Sequence, residues 1–329
     1  MGSEMCIRDR YGLGRLMSSQ SSSFSRFWSG LSAEHQSAVL LVSGISILGL
    51  SDNFVPYVSD EIGLGQFHFM RSAMALLCVL GLAVLTSQSL RPISWPAVML
   101  RTVLLAASMG LYFAVLSFLP VAIAGAGLFT SPIFVLLFSV LLFGLKPGWR
   151  RVLAVLTGSA GVWFVLRPDS LGFHPLQFLP VLAGAFYALS SITTKRLCAE
   201  ESSLALVAIY FAVLGAAGLV WAVMAPAFIS GPVPPEAAFI VKGLVWADAL
   251  VWFWVGLMAV LTVLSIWMLA RAYQIAETSY AVIYEYSYLI SAGLVGVWLW
   301  QAQFSLSSLA GMALIVLSGL IITAATRQR

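Results

Sequence analysis

A chain of 329 residues that is 60% hydrophobic and only 9% charged is not an ordinary soluble enzyme, since soluble domains carry about 25% charged residues. The net charge of +4 does not indicate a nucleic-acid partner, because the cations fall in short connecting segments rather than on one basic face. Cys6, Cys78 and Cys198 are far apart and form no CxxC pair, so neither a disulfide framework nor a metal site is indicated.

Residues 1–36 read as a polar tail. Residues 1–27 are basic and Ser-rich without an apolar h-region, which excludes a cleavable signal peptide. Residues 1–10 have no periodicity and no tie to the rest of the chain, so residues 1–16 read as lying upstream of the native start, with Met17 as initiator. Apolar windows then predict ten spans, at 37–57, 66–86, 98–118, 121–143, 151–167, 176–194, 204–229, 250–270, 278–299 and 307–326. Each is taken as a helix, because lipid cannot satisfy the backbone groups of an open sheet. Short joints such as Leu119-Pro120 make neighbouring spans antiparallel. The longest connection, about 230–249, holds Pro232, Pro234 and Pro235.

With this span count, Arg8, Arg10, Arg15, Arg26, Arg91, Arg101, Lys146, Arg150, Arg151, Lys195, Arg196, Arg271, Arg327 and Arg329 fall on one side. Arg167 and Lys242 fall on the other, and Arg71 lies inside a span. That asymmetry puts both termini in the cytoplasm. The composition and the lack of a targeting segment suggest a bacterial inner membrane.

The segment Leu119-Pro120-Val121-Ala122-Ile123-Ala124-Gly125-Ala126-Gly127-Leu128-Phe129-Thr130-Ser131-Pro132 aligns without a gap with residues 273–286. Gly158-Ser159-Ala160-Gly161 similarly parallels Val316-Leu317-Ser318-Gly319. Two halves of five spans, 37–168 and 172–326, would run in opposite senses, because five is odd. The predicted fold is an all-α integral membrane protein of ten transmembrane helices, arranged as two inverted five-helix repeats. Such repeats are typical of secondary transporters and enclose a site near the midplane.

On these residues the chain resembles the EamA-type members of the drug/metabolite transporter superfamily. The resemblance rests on Arg71, Leu116-Ser117-Phe118-Leu119-Pro120-Val121-Ala122, Ser131-Pro132-Ile133-Phe134, Arg271-Ala272-Tyr273 and Glu285-Tyr286, and covers about residues 37–326. It implies ten helices and the export or import of amino acids, amines, nucleotide-related metabolites and similar solutes. The family often closes its fourth and ninth helices with a Gly-Glu pair. Here those places read Gly144-Leu145-Lys146 and Trp300-Gln301-Ala302, without the acids.

Three ionisable residues lie inside spans, and such residues are costly in a bilayer and commonly functional. Asp52 and Arg71 each sit about five residues from the outer end of a span, roughly 7 Å deep. Equal depth on consecutive helices favours a structural ion pair, with Arg71 as an anchor for a substrate carboxylate as the alternative. Asn53 could support either role. Glu285 sits about 10 Å from the inner end of its span, with no cation at its depth. It reads as a proton-coupling site or a reader of cationic groups on a solute; a permanently protonated acid bonded to a neighbouring helix is the alternative.

Tyr280, Tyr284 and Tyr288 form a stripe, and Tyr288 is three residues from Glu285, close to its face. Tyr112, Trp163, Phe186 and Tyr187 fall near mid-depth of other spans, where most aromatics are packing. Ser131-Pro132 stands opposite Glu285-Tyr286 in the repeat and is expected to border the cavity at a proline kink. Gly125, Gly127, Gly158, Gly161, Gly215, Gly218 and Gly293 are expected to let helices approach closely, and His68 is expected at the interface. The predicted site is therefore Glu285, Tyr284, Tyr288, Arg71, Asp52, Ser131, Tyr187 and Tyr112, with no cofactor and no metal.

The function read from the sequence is secondary active transport of a small organic solute, an amino acid or related metabolite, in the export direction, coupled to protons or by exchange. The partners are that solute, the lipid bilayer and protons; a homodimer is compatible with the pattern. No P-loop, HExxH or GxSxG motif is present, and His35, His68 and His174 lie near or outside span ends, which argues against a pump or an intramembrane enzyme. The alternative is an intramembrane enzyme, or a passive channel or assembly factor without coupled transport.

Overall fold

The structure is a computed structural model that describes residues 30–115, 128, 130–144, 146, 148–166, 178–228, 238–276, 278–300 and 306–326. The tail 1–29, the joint Leu119-Pro120, Gly125, Gly127, Arg167, the proline-rich stretch 231–237 and Gln301 lie outside the described residues. Among the described residues all regular structure is helical. We number the long helices α1 (Ala33–Asp52), α2 (Leu64–Thr86), α3 (Trp95–Val115), α4 (Ser131–Phe143), α5 (Trp149–Leu166), α6 (Phe178–Leu197), α7 (Ser203–Phe228), α8 (Ala249–Ile275), α9 (Ser287–Trp300) and α10 (Leu306–Thr326).

Five of these segments are long and apolar enough to cross a membrane: α1 with the turn after it, α2, α3, α7 and α8. Shorter apolar stretches occupy Ser131–Leu142 and Leu309–Ile321. Helix α6 has comparable length but carries Ser190, Ser191, Thr193 and Thr194 before Lys195 and Arg196. Two of those hydroxyls are met inside the helix, where Thr193 donates to the Leu189 carbonyl at 2.7 Å and Thr194 to that of Ser190 at 2.9 Å.

Where the sequence suggests one continuous span at 278–299, the backbone is broken. A single turn at Thr278–Ala281 runs into a 3-10 segment at Val282–Tyr286, and only then into α9. Tighter 3-10 winding inside a helix marks strain or a hinge. Pro132 lies in the first turn of α4, where its missing N–H has no helical partner to lose, and Thr130 forms a turn just ahead of it.

The most extensive packing pairs are α5 with α10, α2 with α7, α3 with α6, and α8 with α1, followed by α9 with α1, α8 with α2, and α4 with α6. Lipid drives no hydrophobic association between helices, so small residues and hydroxyls carry these contacts. Ser108 donates to the Ala183 carbonyl at 2.8 Å, and Ser190 to that of Arg101 at 3.0 Å. Ser318 ties α10 to the Ala154 carbonyl at 2.7 Å. Tyr286 is fully buried against Gly158, where any Cβ would strike its ring, and bonds Ser159 through its hydroxyl at 3.1 Å.

The α2–α7 crossing is backbone on backbone. A Cβ at Gly65 would stand 2.6 Å from both the Ala222 amide nitrogen and the Gly218 carbonyl oxygen, and one at Gly218 would stand 2.8 Å from the Gly65 oxygen. Backbone atoms cannot swing aside, so a larger residue must push the helices apart. We therefore expect Gly65→Leu to destabilise the detergent-solubilised protein by about 1–3 kcal/mol or more, seen as a lower melting temperature. Gly81→Ala, with nothing within 4 Å of the new Cβ, is the control and should melt like the unaltered protein. Equal melting of the two variants would rule out the close crossing.

Candidate functional site

A cavity of about 730 Å³, open solvent at its mouth included, lies between α1, α2, α3, α4, α6, α7, α8, the 282–286 segment and α9. Its polar lining is Asp52, Arg71, Tyr112, Ser131, Tyr187, Tyr210, Thr262, Glu285 and Tyr288; the rest is apolar, including Ile45, Leu105, Phe113, Ile266 and Leu269. The geometry thus brings seven of the eight residues singled out in the sequence to one space. Tyr284, the eighth, is half-buried against the core and does not line it.

Glu285 occupies the 3-10 segment and is 3% exposed. Its Oε1 accepts two phenol hydrogen bonds, from Tyr187 of α6 at 2.5 Å and from Tyr273 in the last turn of α8. The helix stops at Ile275 and helical backbone is described again from Thr278, and Glu285 meets Tyr273. Oε2 takes no hydrogen bond from a described residue, and no described cation pairs with the carboxylate. Tyr273, absent from the predicted site, is therefore one of the two residues that hold its central acid. Its one sequence signal is membership of the Arg271-Ala272-Tyr273 motif.

The ion pair expected between Asp52 and Arg71 does not form. Asp52 instead accepts from the Tyr288 hydroxyl at 2.6 Å, while the Arg71 guanidinium lies 4.6 Å from the Phe67 ring centre and 5.3 Å from that of Phe113. Equal depth on adjacent helices permits pairing but does not direct it, and here a phenol and two aromatic faces are better placed. His68, expected at the interface, is 4% exposed, with Nδ1 3.4 Å from Arg71 Nη2. Asn53 does not enter the cavity; its amide donates to the Gly49 carbonyl at 2.7 Å and to that of Ala292 at 3.3 Å. Ser131 is 2% exposed and lines the cavity at the start of α4.

Side-chain bonds close both ends of the bundle beyond the cavity. At the end bearing Lys195, the Glu201 carboxylate accepts from the backbone N–H groups of Ile93 at 2.9 Å and Ser94 at 2.7 Å, just before α3. The Gln274 amide donates to the carbonyls of Cys198 at 2.9 Å and Glu201 at 2.7 Å, and accepts from Ser203 at 2.7 Å. Arg101, 4% exposed, donates to Thr194 and to the Leu206 carbonyl, both at 3.3 Å. At the opposite end the Gln66 amide exchanges two bonds with the Val245 backbone, at 2.7 and 2.9 Å, and Lys242 donates to the Asp60 carbonyl at 3.0 Å.

Residues 36–167 match the EamA-like transporter family. Over 293 residues, 86% of this chain and 91% of that protein, the sequence is 26% identical to a riboflavin transporter of Vibrio cholerae. It is also 26% identical over 165 residues to an S-adenosylmethionine uptake transporter of Rickettsia bellii, spanning 49% of this chain and 57% of that protein. Residues 36–167 thus form an EamA-like transporter domain, and the chain as a whole is similar to EamA-type members of the drug/metabolite transporter superfamily. A riboflavin transporter of Rhizobium johnstonii shares 35% identity over 101 residues, 31% of this chain and 33% of that one. A solved crystal structure has the same fold, with a TM-score of 0.71 at 17% identity, covering 89% of this chain and 96% of that one. The family match and the transporter-named relatives, together with the apolar helices, point to a membrane protein that transports small solutes.

The Glu201 and Gln274 bonds make a local prediction. Cys198 is fully buried beneath them, and burial pushes its thiol up to about 11, against the opposing pull of Arg101. A raised value keeps the thiol protonated at neutral pH, and the thiolate is the reactive form. Maleimide labelling of Cys198 at pH 7, read by mass spectrometry of the purified protein, should be slow. Glu201→Ala or Gln274→Ala should speed it about tenfold or more, since unmaking such a buried bond costs about 1–3 kcal/mol. Rapid labelling of the unaltered protein would contradict the closed end.

Proposed function

We propose that the chain is a secondary transporter that carries a small heteroaromatic solute by alternating access between two inverted halves, residues 37–168 and 172–326. The observation that carries this reading is Glu285, a buried acid held on one oxygen by two phenols, with no described residue bonded to its second oxygen and no described cation bonded to it. Such a group can take up a proton, or a donor on the solute, and surrender it when the cavity opens elsewhere.

Packing supports the two halves. When each of α1–α5 is exchanged with the helix five places later, the α2–α7 and α5–α10 pairs map onto themselves. The α3–α6 pair then maps onto α8–α1, and α4–α6 onto α9–α1. The end bonds follow the same rule: Glu201 with the segment before α3 corresponds to Gln66 with the segment before α8. Breaks before Ser131 and at 282–286 fall at repeat-equivalent places, as in transporters whose sites lie at discontinuous helices. The charge asymmetry of the sequence supports a bacterial inner membrane with both termini cytoplasmic.

The relatives' names bear on the solute. Riboflavin and S-adenosylmethionine both carry a fused heteroaromatic ring, and Tyr112, Phe113, Tyr187, Tyr210 and Tyr288 give this cavity stacking surface. A heteroaromatic metabolite therefore replaces a simple amino acid as the favoured cargo. The Rickettsia bellii relative is named for uptake, so uptake is the direction we adopt in place of export.

Proteoliposomes test the coupling, with labelled riboflavin as the first probe. The unaltered protein should accumulate the probe when a pH gradient is imposed. Glu285→Gln keeps shape and size but cannot ionise, so gradient-driven accumulation should fall about tenfold or more, given that one lost interaction of about 1.4 kcal/mol is worth tenfold, while exchange of probe across the membrane persists. Undiminished gradient-driven accumulation by Glu285→Gln would remove Glu285 from the coupling step.

A further inference from the structure

Buried polar side-chain atoms without a hydrogen-bond partner occur at Ser51, His68, Arg71, Ser72, Thr102, Thr262 and Ser287 among the described residues. Of these residues, only Arg71 and Thr262 line the cavity. Each is 3% exposed, and they come from α2 and α8, which lie in different halves of the chain. Leaving a buried donor unmet is costly, and the cost is greater for a charged one, so the unmet atoms mark what the resting cavity lacks.

The surroundings of Arg71 sharpen the point. Phe67 and Phe113 lie within cation–π distance of the guanidinium, and Nη2 faces His68. Aromatic rings hold an arginine through its π face and leave the N–H groups in its plane free to donate. The nearby carboxylate of Asp52 accepts from Tyr288 and closes no ion pair with Arg71. Arg71 is thus a positioned, desolvated fork with Nε unpartnered, and Thr262 adds a hydroxyl on the same cavity.

We infer that Arg71 and Thr262 form an acceptor-binding subsite that takes the carboxylate or the imide-like carbonyl edge of the solute. Glu285, whose Oε2 is unengaged, offers the complementary acceptor in the same cavity. The solute read out this way carries an acceptor-rich edge and a donor group on one ring framework. A fork preferring two aligned acceptors explains why arginine stands here and why lysine would serve poorly. The inference rests on the solute-carrying reading of the cavity, and it adds the chemistry that the solute must present.

Binding to the full-length purified protein, followed by quenching of its intrinsic fluorescence, tests the subsite with three probes. Riboflavin presents an imide edge, N3-methylated riboflavin blocks that edge, and nicotinate presents an aromatic carboxylate. We expect riboflavin or nicotinate to bind, and Arg71→Lys to weaken that binding about tenfold or more, as loss of a charge-assisted bond implies. Thr262→Val should weaken it about fivefold or more, and Thr262→Ser should restore it. Preference for riboflavin over its N3-methylated form identifies the imide edge; preference for nicotinate identifies the carboxylate.

Absence of binding by every probe, or binding unchanged in both Arg71→Lys and Thr262→Val, overturns the subsite. The same samples in proteoliposomes separate the two readings. Flux that survives with binding indifferent to Arg71 and Thr262 removes the subsite and leaves transport. Arg71-dependent binding without flux in the unaltered protein keeps the subsite and removes transport.

Discussion

An apolar helix bundle supplies no water to the charges it buries, so each must be met by protein groups or by cargo. Among the described residues, none of the three ionisable side chains in this cavity closes a salt bridge. Glu285 is held by the Tyr187 and Tyr273 phenols, Asp52 by that of Tyr288, and Arg71 by the faces of Phe67 and Phe113. Magnitudes show why this matters. A hydrogen bond to a charged group contributes about 1.5–3 kcal/mol, whereas breaking a buried ion pair by losing one partner costs about 3–5 kcal/mol. Contacts of the first kind can be exchanged for a solute; a closed Asp52–Arg71 pair would compete with one.

Local backbone chemistry serves the same end. The chain leaves α8 at Ile275 and passes through one helical turn and a 3-10 segment before α9 begins, which sets Glu285 against Tyr273. Tyr286, one residue on, is clamped at Gly158 and Ser159, so the tight segment is pinned on its far side. The acid is therefore positioned by packing of its neighbour as much as by its own bonds. Glycine at position 158 is required by a ring pressed against it.

Much of the site is legible in the sequence because ionisable residues stand out in apolar runs. Asp52, Arg71 and Glu285 show themselves that way, Tyr288 by its spacing from Glu285, and Ser131 by its place in the repeat. Tyr273, Tyr210 and Thr262 do not, since a phenol or a hydroxyl in a helix is usually satisfied locally and sequence neighbours do not show where it points. The depth argument for Glu285 assumes a uniform helical rise, which the 3-10 segment does not keep. Helix existence is readable from hydropathy. The starts of α4 and α9 are not, because a proline or a run of β-branched and aromatic residues is equally at home in a kink and at a boundary.

The bonds at the two ends of the bundle are made at once. Glu201 grips the approach to α3 while Gln66 grips the approach to α8, and the α2–α7 crossing between them is too close to slide. These parts form a bearing that is already seated at top and bottom. A swing of the kind proposed above that left them intact would pivot elsewhere, and the turn at Thr130 and the 3-10 segment at 282–286 are the interruptions in described helical backbone placed for it, one in each half of the chain.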